Sequence, residues 1–293
     1  MSTFIDFARA HGVELEHDRL YPSDKIRRTG TVLKPRSTNG SYFWDGKRGW
    51  VMDWSGEAKV VWYNDPDAKP WTEDEKRAWG ERRRAQVSDQ QKKYDAAAQQ
   101  AKELLKMAKM ESHPYLEYKG FKEEKGLVLD NKLLVPMRNV STSKLQGYQE
   151  IYFDYEARKY EKKMMYGMRA KNAVFYIGAR QVPETWLVEG YATGLSLHKA
   201  LRTCGLKSSV VVCFSASNLI AVADQIPNQR FVFADNDLSG TGQKAAQETG
   251  LPWTMADEAG NDSNDLHVKH GLFAVVGKVM QLRKSVLTCA EAH

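Results

Sequence analysis

The sequence predicts a protein that combines α+β and α/β architecture. Three observations lead to this fold class. Residues 1–65 hold aromatic-rich alternating segments, residues 66–112 form a long run of Ala, Gln, Lys and Glu, and residues 181–293 alternate short apolar runs with helical stretches. A chain of 293 residues exceeds one average domain, so two compact units and a connector are expected.

Residues 1–65 are expected to form a small β-rich domain. A short helical pattern comes first, and the segments SYFWDG, GWVMDW and KVVWYN then alternate as strands of an antiparallel sheet do. Residues 66–112 follow as a charged connector helix, with apolar positions at Leu104, Leu105 and Ala108. The cluster Arg82, Arg83 and Arg84 within it is interpreted as a solvated face rather than a nucleic-acid contact.

Residues 113–180 return to a strand pattern in KLLVPMRN, LQGYQEIYFD, YEKKMMYG and AVFYIGA, which predicts a curled antiparallel sheet. Residues 181–293 predict a mostly parallel sheet with helices on both faces, because strand and helix patterns alternate there. Charge separates the two parts. Residues 131–180 contain ten Lys/Arg and four Asp/Glu, whereas residues 181–293 contain nine and eleven.

Composition excludes several classes of protein. No apolar run approaches the roughly 20 residues of a membrane span, and the charged start MSTFIDFARAHG does not resemble a secretory leader, so a cytoplasmic protein without membrane partners is expected. The cysteines Cys204, Cys213 and Cys289 are widely separated, which argues against disulfides and against a zinc site.

Acidic residues follow three of the predicted strands. Glu189 ends TWLVEG, Asp235 ends RFVFAD with Asp237 two residues later, and Asp262 and Asp265 follow the last strand. Because ligands bind at the carboxyl ends of parallel strands, these acids are expected to meet at one edge. Carboxylates brought together repel one another unless cations intervene, and all-oxygen ligation suits Mg²⁺ or Mn²⁺.

Each of these signals is weak alone, since a Glu-Gly after a strand is usually a turn and an Asp-x-Asp at a helix start is usually an N-cap. In this order, however, Glu189-Gly190 and Asp235-Asn236-Asp237 resemble the EG and DxD motifs of the Toprim fold. The stretches HPYLEYKG, LLVPMRN, AVFYIG, LVEGYATGLSLHKA, VFADNDLSGTGQKAA and GNDSNDLH further resemble the DnaG-like Toprim primases of phages and plasmids, over about two thirds of the chain.

This resemblance implies a DnaG-like primase core that synthesises RNA primers on a single-stranded DNA template from NTPs. Glu189 would act in acid/base chemistry or metal organisation, Asp235 and Asp237 would hold metal, and Asp262 and Asp265 would add an outer acidic cluster to the metal ligands. Candidates for binding template or nucleotide phosphates are Arg138, Lys163 and Lys171, although each is equally well explained as an exposed cation. Asn218 would shape the pocket or simply cap a helix.

The sequence departs from the primase pattern in its first 65 residues, which lack the cysteines of a zinc ribbon. Basic residues interleaved with aromatic ones could grip single-stranded DNA there, and the candidates are Arg27, Arg28, Arg36, Arg48 and Trp50. The alternative interpretation, favoured for most of the tryptophans, is that they form the core of a small domain.

No GxxxxGK[ST] motif is present, so a replicative helicase is expected to be a separate partner. Two other functions remain open. A Toprim nuclease would use the same acids to activate water, and a replication accessory protein would bind DNA without catalysis. A topoisomerase is set aside, because the chain lacks room for a strand-gate domain.

Overall fold

The computed structural model describes residues 3–15, 20–54, 59–64 and 72–291. It separates the chain into two compact units, Met1–Arg83 and Arg84–His293, and the division falls within a long helix. The mixed α/β class predicted from the sequence is confirmed. The boundary predicted at residue 65 lies outside the described residues, and the four-part division stays a prediction.

Among its described residues, the first unit contains one short helix, a four-stranded antiparallel sheet whose strands lie side by side in chain order, and residues 73–83 of the long helix. Its elements are α1 (Phe4–Ala10), β1 (Ser23–Thr29), β2 (Gly40–Trp44), β3 (Arg48–Asp53) and β4 (Val61–Asn64). Thr3 caps α1 by accepting a hydrogen bond from the Asp6 N–H. Phe4 of α1 stacks on Trp44 with ring centroids 4.5 Å apart, so the helix closes one face of the sheet.

A ten-stranded sheet forms the centre of the second unit. Its antiparallel part and its two helices come first along the chain: α2 (Glu73–Met107), β5 (Lys109–Glu111), α3 (Pro114–Tyr118), β6 (Gly126–Leu129), β7 (Lys132–Asn139), β8 (Leu145–Asp154), β9 (Lys159–Met164) and β10 (Ala173–Ile177). The C-terminal part of α2 packs through Ala101 against Leu134 and Tyr148. The apolar positions recognised in the sequence of this helix therefore lie against the sheet.

The parallel part of the sheet has the order β14-β13-β11-β12. Its elements are β11 (Glu184–Val188), α4 (Tyr191–Thr203), β12 (Ser208–Val212), α5 (Ala216–Ala223), β13 (Gln229–Ala234), α6 (Thr241–Glu248), β14 (Trp253–Met255), α7 (Ser263–His270) and α8 (Leu272–Glu291). Every residue of β11 is buried, as expected for a central strand covered on both faces.

Strand β10 joins the two parts into one sheet. It pairs antiparallel with β7 at Val174 and Arg138, and antiparallel with β12 at Tyr176 and Val211. The antiparallel strands and the parallel strands are therefore hydrogen-bonded into a single sheet. Within the described part of the chain, no helix combines the length and apolar character that a bilayer crossing requires.

Candidate active site

Two carboxylates stand at the carboxyl ends of neighbouring parallel strands. Glu189 follows the last residue of β11, and Asp235 follows the last residue of β13. The two strands pair in parallel, with Leu187 opposite Val232. The structure therefore brings these two predicted site residues to the same edge of the sheet, as the strand pattern predicted.

Glu189 is held between β12 and the start of α5. Its backbone carbonyl accepts a hydrogen bond from the N–H of Phe214 at 2.9 Å, and Phe214 adopts φ 66°, a left-handed conformation that is uncommon for a bulky residue. Burial and the charge of Asp237 raise the pKa of the Glu189 carboxyl, while the Ala216 N–H lowers it. A carboxyl with a raised pKa is a stronger base than an ordinary glutamate and can accept a proton from a nearby group.

Asp235 has the most perturbed environment of the predicted acids. Burial, reinforced by the charges of Asp262 and Glu189, raises the pKa of its carboxyl to about 8. Its Oδ1 is enclosed by protein and has no hydrogen-bond partner among the described groups. An enclosed carboxylate oxygen without a donor is uncommon in a folded protein, and it is a feature that a bound cation or a substrate group would satisfy.

Asp237 lies in the opposite electrostatic environment. Its Oδ1 accepts from the Ser239 hydroxyl and from the N–H of Thr241 at 3.1 Å, and its Oδ2 accepts from the N–H of Gly242 at 2.8 Å. These hydrogen bonds lower the pKa of Asp237 to about 2, and the bond from the Ser239 hydroxyl has the largest effect. The side chain is therefore a fixed negative charge, and it also caps the first turn of α6.

Asn236, between the two aspartates, positions the next loop. Its N–H donates to the Asn261 carbonyl at 3.0 Å, and its side-chain amide donates to the Ala256 carbonyl at 3.0 Å. The loop that carries the remaining predicted acids is thereby attached to the end of β13. A middle residue of the DxD motif thus has a structural role.

Asp262 and Asp265 lie near this edge of the sheet, and both side chains make hydrogen bonds that stabilise the start of α7. Asp262 is the N-cap of α7, where its Oδ1 accepts from the Asp265 N–H at 2.9 Å, and its Oδ2 accepts from the Thr193 hydroxyl at 2.9 Å. Asp265 completes the capping box and pairs with Lys119 at 3.6 Å. Their predicted role as metal ligands stays a prediction, whereas their capping role is observed.

Lys162 of β9 is a cation that the sequence reasoning missed. Its ammonium charge acts on the Asp235 carboxyl, lowering its pKa, and its Nζ lies 5.7 Å from the centre of the Tyr115 ring. The neighbouring Lys163 was predicted instead, yet it lies over Tyr152 at 5.3 Å and hydrogen-bonds that phenol. Neighbouring residues of a strand point to opposite faces of the sheet, so the two lysines face different surroundings. This alternation is the signal in the sequence that could have distinguished them.

Tyr115 adds a buried hydroxyl to the same region. Its side chain is only 1% exposed, its hydroxyl has no hydrogen-bond partner among the described groups, and burial raises its pKa. The ring packs edge-on against Tyr160 of β9 with centroids 5.2 Å apart. The tyrosine belongs to the HPYLEYKG stretch, but sequence reasoning assigned it no role.

The other predicted phosphate-binding cations are not joined to the acids by any contact among the described residues. Arg138 is exposed and donates to the Ser143 carbonyl at 3.3 Å. Lys171 is exposed too, and its carbonyl accepts from the Gln146 side chain at 3.3 Å. The structure fixes the backbone of both cations, and their binding role stays a prediction.

Asn218 connects three parts of the second unit. Its Oδ1 accepts from the Asn172 N–H at 2.7 Å, and its Nδ2 donates to the carbonyls of Ala173 and Cys213, both at 2.8 Å. The N-cap of α5 is Ser215 rather than Asn218. The buried amide thus holds the residues before β10 beside the loop that supports Glu189, while direct nucleotide contact stays a prediction.

The predicted DNA-binding residues of the first unit fall on different surfaces. Arg28 lies 4.7 Å from the centre of the Trp54 ring, and Trp50 pairs with Phe43 across β2 and β3. Arg27 pairs instead with Tyr42, a core residue, and Arg36 lies in an exposed turn. Arg48 begins β3.

The residues at the sheet edge fit a divalent cation that takes few protein ligands. No group of three or more His, Cys, Asp or Glu side chains with metal-binding geometry occurs among the described residues. The partnerless Oδ1 of Asp235, next to Glu189 and Asp237, nevertheless offers the hard oxygen that Mg²⁺ or Mn²⁺ prefers. Mg²⁺ commonly binds through one or two carboxylates and completes its shell with waters and substrate phosphates.

Fold and site together define a mixed α/β protein with an acidic site at the carboxyl edge of its parallel strands. No protein-family model matches the sequence, and no curated protein matches it either. Among solved structures, the catalytic core of DnaG is similar at 15% identity and a TM-score of 0.36. The match spans about half of each protein, 51% of this chain and 52% of the other, and similarity this low does not establish a shared fold.

Proposed function

We propose that this protein is a DNA primase that joins ribonucleoside triphosphates into short RNA primers on single-stranded DNA. The proposal rests on the position of Glu189 and Asp235 at the carboxyl ends of two paired strands, where the enclosed Oδ1 of Asp235 has no partner among the described groups. The positive charge of Lys162, from β9, acts on the Asp235 carboxyl. Phosphoryl transfer requires acids that hold metal ions, and it requires basic side chains as well, because metal ions and basic side chains together neutralise the negative charge of the triphosphate.

The reaction would join the 3′ hydroxyl of one nucleotide to the α-phosphate of the next, with pyrophosphate as the leaving group. The hydroxyl proton needs an acceptor, and Glu189, with its raised pKa, supports this role. Asp235 and Asp237 would hold Mg²⁺ or Mn²⁺, which would neutralise phosphate charge and lower the pKa of the hydroxyl. Lys162 would contact a phosphate, since its charge already acts on the site.

The joined sheet favours a polymerase over a nuclease with the same acids. Strands β7 and β9 carry Lys132, Arg138, Lys159, Lys162 and Lys163, and β10 joins this part of the sheet to the parallel strands. A primase needs such a surface for the template and the growing primer. We further propose a phage or plasmid setting, a cytoplasmic location and a separate replicative helicase, which rest on the resemblance of the motifs.

The test is primer synthesis on single-stranded DNA with labelled ribonucleotides and MgCl2 or MnCl2. Glu189→Gln and Asp235→Asn should each abolish short RNA products. Glu248→Gln is the matched control, because this exposed acid ends α6 away from the capped first turn. DNA cleavage that the same two variants abolish, without any RNA product, would replace the primase with a nuclease. Single-strand binding alone, unchanged in every variant, would indicate an accessory protein.

A further inference from the structure

One face of the four-stranded sheet in the first unit is not covered by α1. The helix packs on the face that carries Tyr42, Val51 and Tyr63. Side chains alternate along a strand, so the residues next to these three point to the opposite face. That opposite face, called the open face below, carries Phe43 of β2 and Trp62 of β4.

The open face carries a row of aromatic rings across three neighbouring strands. The register places Phe43 opposite Trp50, and Trp50 opposite Trp62. Trp62 is 56% exposed, although burial of a tryptophan contributes strongly to stability. A second tryptophan of this face, Trp54, is 50% exposed and donates from its indole N–H to the Ser41 hydroxyl at 2.9 Å. These rings are thus fixed in place while their surfaces reach solvent.

A cavity of about 710 Å³ opens on this face and is lined by residues from both ends of the row. The first turns of α2 supply Trp79 and Lys76 to its wall, and the sheet supplies Phe43, Trp62 and Arg48. The volume lies within the range of roughly 300–1,000 Å³ that small-molecule sites occupy. Three aromatic side chains around one opening provide flat surfaces on which a planar ring can stack.

Charge on this face complements a nucleic-acid strand. Arg48 lines the cavity. Arg28, on the edge strand β1, lies 4.7 Å from the centre of the Trp54 ring. Lys76 also lines the cavity, where it pairs with Glu73 at 2.7 Å. An exposed pair of this kind is weak, so a phosphate can compete for the ammonium group. Asp45, the acid in the wall, accepts hydrogen bonds from the N–H groups of Lys47 and Arg48.

We infer that the open face is a binding surface for single-stranded DNA and that the cavity accepts one unstacked base. Bases stack on aromatic side chains without regard to sequence, while neighbouring cations follow the phosphates. A duplex would not fit this mode, because its bases are already stacked and paired. The inference deepens the proposed function, and it rests on that function for the identity of the strand as the template.

The binding test uses the full chain in EDTA and a fluorescein-labelled oligothymidylate, followed by fluorescence anisotropy. Trp62→Ala and Trp79→Ala should each weaken binding by about fivefold to a hundredfold. Trp62→Phe should keep most of the affinity, because a ring remains. Phe273→Ala is the control, since this α8 residue is a 77% exposed aromatic outside the open face. Thermal unfolding of each variant shows whether the fold is intact.

A second measurement locates the contact directly. Photo-crosslinking of an oligonucleotide that contains 5-iodouracil, followed by peptide mapping, should label the segments that contain Trp62 or Trp79. Labels only in residues 84–293, or equal affinity of the wild type and Trp62→Ala, would overturn the inference. If crosslinks form on the open face but no primers are made, the DNA-binding surface stands and the primase proposal fails. Primer synthesis without these crosslinks would support the primase proposal and overturn the DNA-binding surface.

Discussion

The backbone carbonyl of Asp235 approaches Gly242 so closely that a Cβ on residue 242 would overlap the carbonyl oxygen. The same glycine donates its N–H to the Oδ2 of Asp237 at 2.8 Å. One residue of α6 thus fixes the turn that holds both aspartates. The glycine that follows the DxD motif is required by this close approach of two backbone segments.

Gly242→Ala should therefore impair both stability and activity. Overpacking against a backbone that cannot move costs roughly 1–3 kcal/mol of unfolding free energy, and displacement of the two aspartates should abolish primer synthesis. Gly277→Ala is the matched control, because no atom lies near a Cβ at this position of α8. That change should add about 0.5–1 kcal/mol of stability. Equal unfolding free energies for the two variants in urea would contradict the packing argument.

Lys162 and Lys163 offer a test within one strand. Lys162→Ala should reduce primer synthesis by about tenfold to a hundredfold, because a charged contact contributes about 1.5–3 kcal/mol. Lys163→Ala should change it by less than about threefold, because an exposed charge away from the site contributes little. Both side chains are exposed, so unfolding should be unaffected. A larger loss in Lys163→Ala would show that the primer or template uses the other face of β9.

Asp235→Asn should make the metal-free protein more stable. The folded carboxyl has a pKa of about 8 against an ordinary 3.8, so the folded protein retains a proton that the unfolded chain releases. This difference lowers the stability of the wild type increasingly as pH rises from about 4 to 8, and the variant should escape the loss. Denaturation in EDTA across this range measures the gap, which should widen as the pH rises, by at most about 1.4 kcal/mol per pH unit.

The same variant tests the cation. MgCl2 or MnCl2 should raise the melting temperature of the wild type and have a smaller effect on Asp235→Asn, because a ligand that binds the folded state stabilises it. Asp237→Asn provides a second readout at the other aspartate. An equal response in all three proteins would exclude these acids as the site of binding.

Asn218→Ala should destabilise the second unit, although Asn218 makes no hydrogen bond to the side chains of Glu189, Asp235 or Asp237. It leaves the Asn172 N–H and the carbonyls of Ala173 and Cys213 without their partner in a buried setting. The expected loss is about 2–4 kcal/mol of unfolding free energy. Ser217→Ala, at an exposed neighbouring position, should change it by less than about 0.5 kcal/mol. An unchanged stability with a raised KM for nucleotides would show direct substrate contact instead.

Arg283 of α8 pairs with Glu184 at the start of β11, where the carboxylate also accepts from the Trp186 indole at 2.6 Å. Arg283→Ala would leave a buried charge unpaired and should cost about 3–5 kcal/mol. Lys284→Ala, the next residue, should cost less than about 0.5 kcal/mol. If chemical denaturation shows the same small loss for both, the ion pair does not hold α8 in place.

The sequence by itself determined the elements that have strong periodicity. The bounds of β7 and β8 coincide with KLLVPMRN and LQGYQEIYFD, because short runs of apolar and aromatic residues bounded by polar turns are a local signal. The placement of Glu189 and Asp235 at strand ends followed from two short apolar runs that lie between helical stretches. Strands β1, β5 and β6 were missed, since they are short or exposed and carry little apolar periodicity.

Only the tertiary structure decided which charges meet. It placed Lys162 rather than Lys163 on the side of Asp235, because pairing with β8 fixes the orientation of each residue of β9. It also gave Asp235 and Asp237 pKa values shifted in opposite directions, although the two aspartates are separated by one residue. Burial and hydrogen bonding depend on groups brought together from distant parts of the chain, and a local pattern of residues does not contain that information.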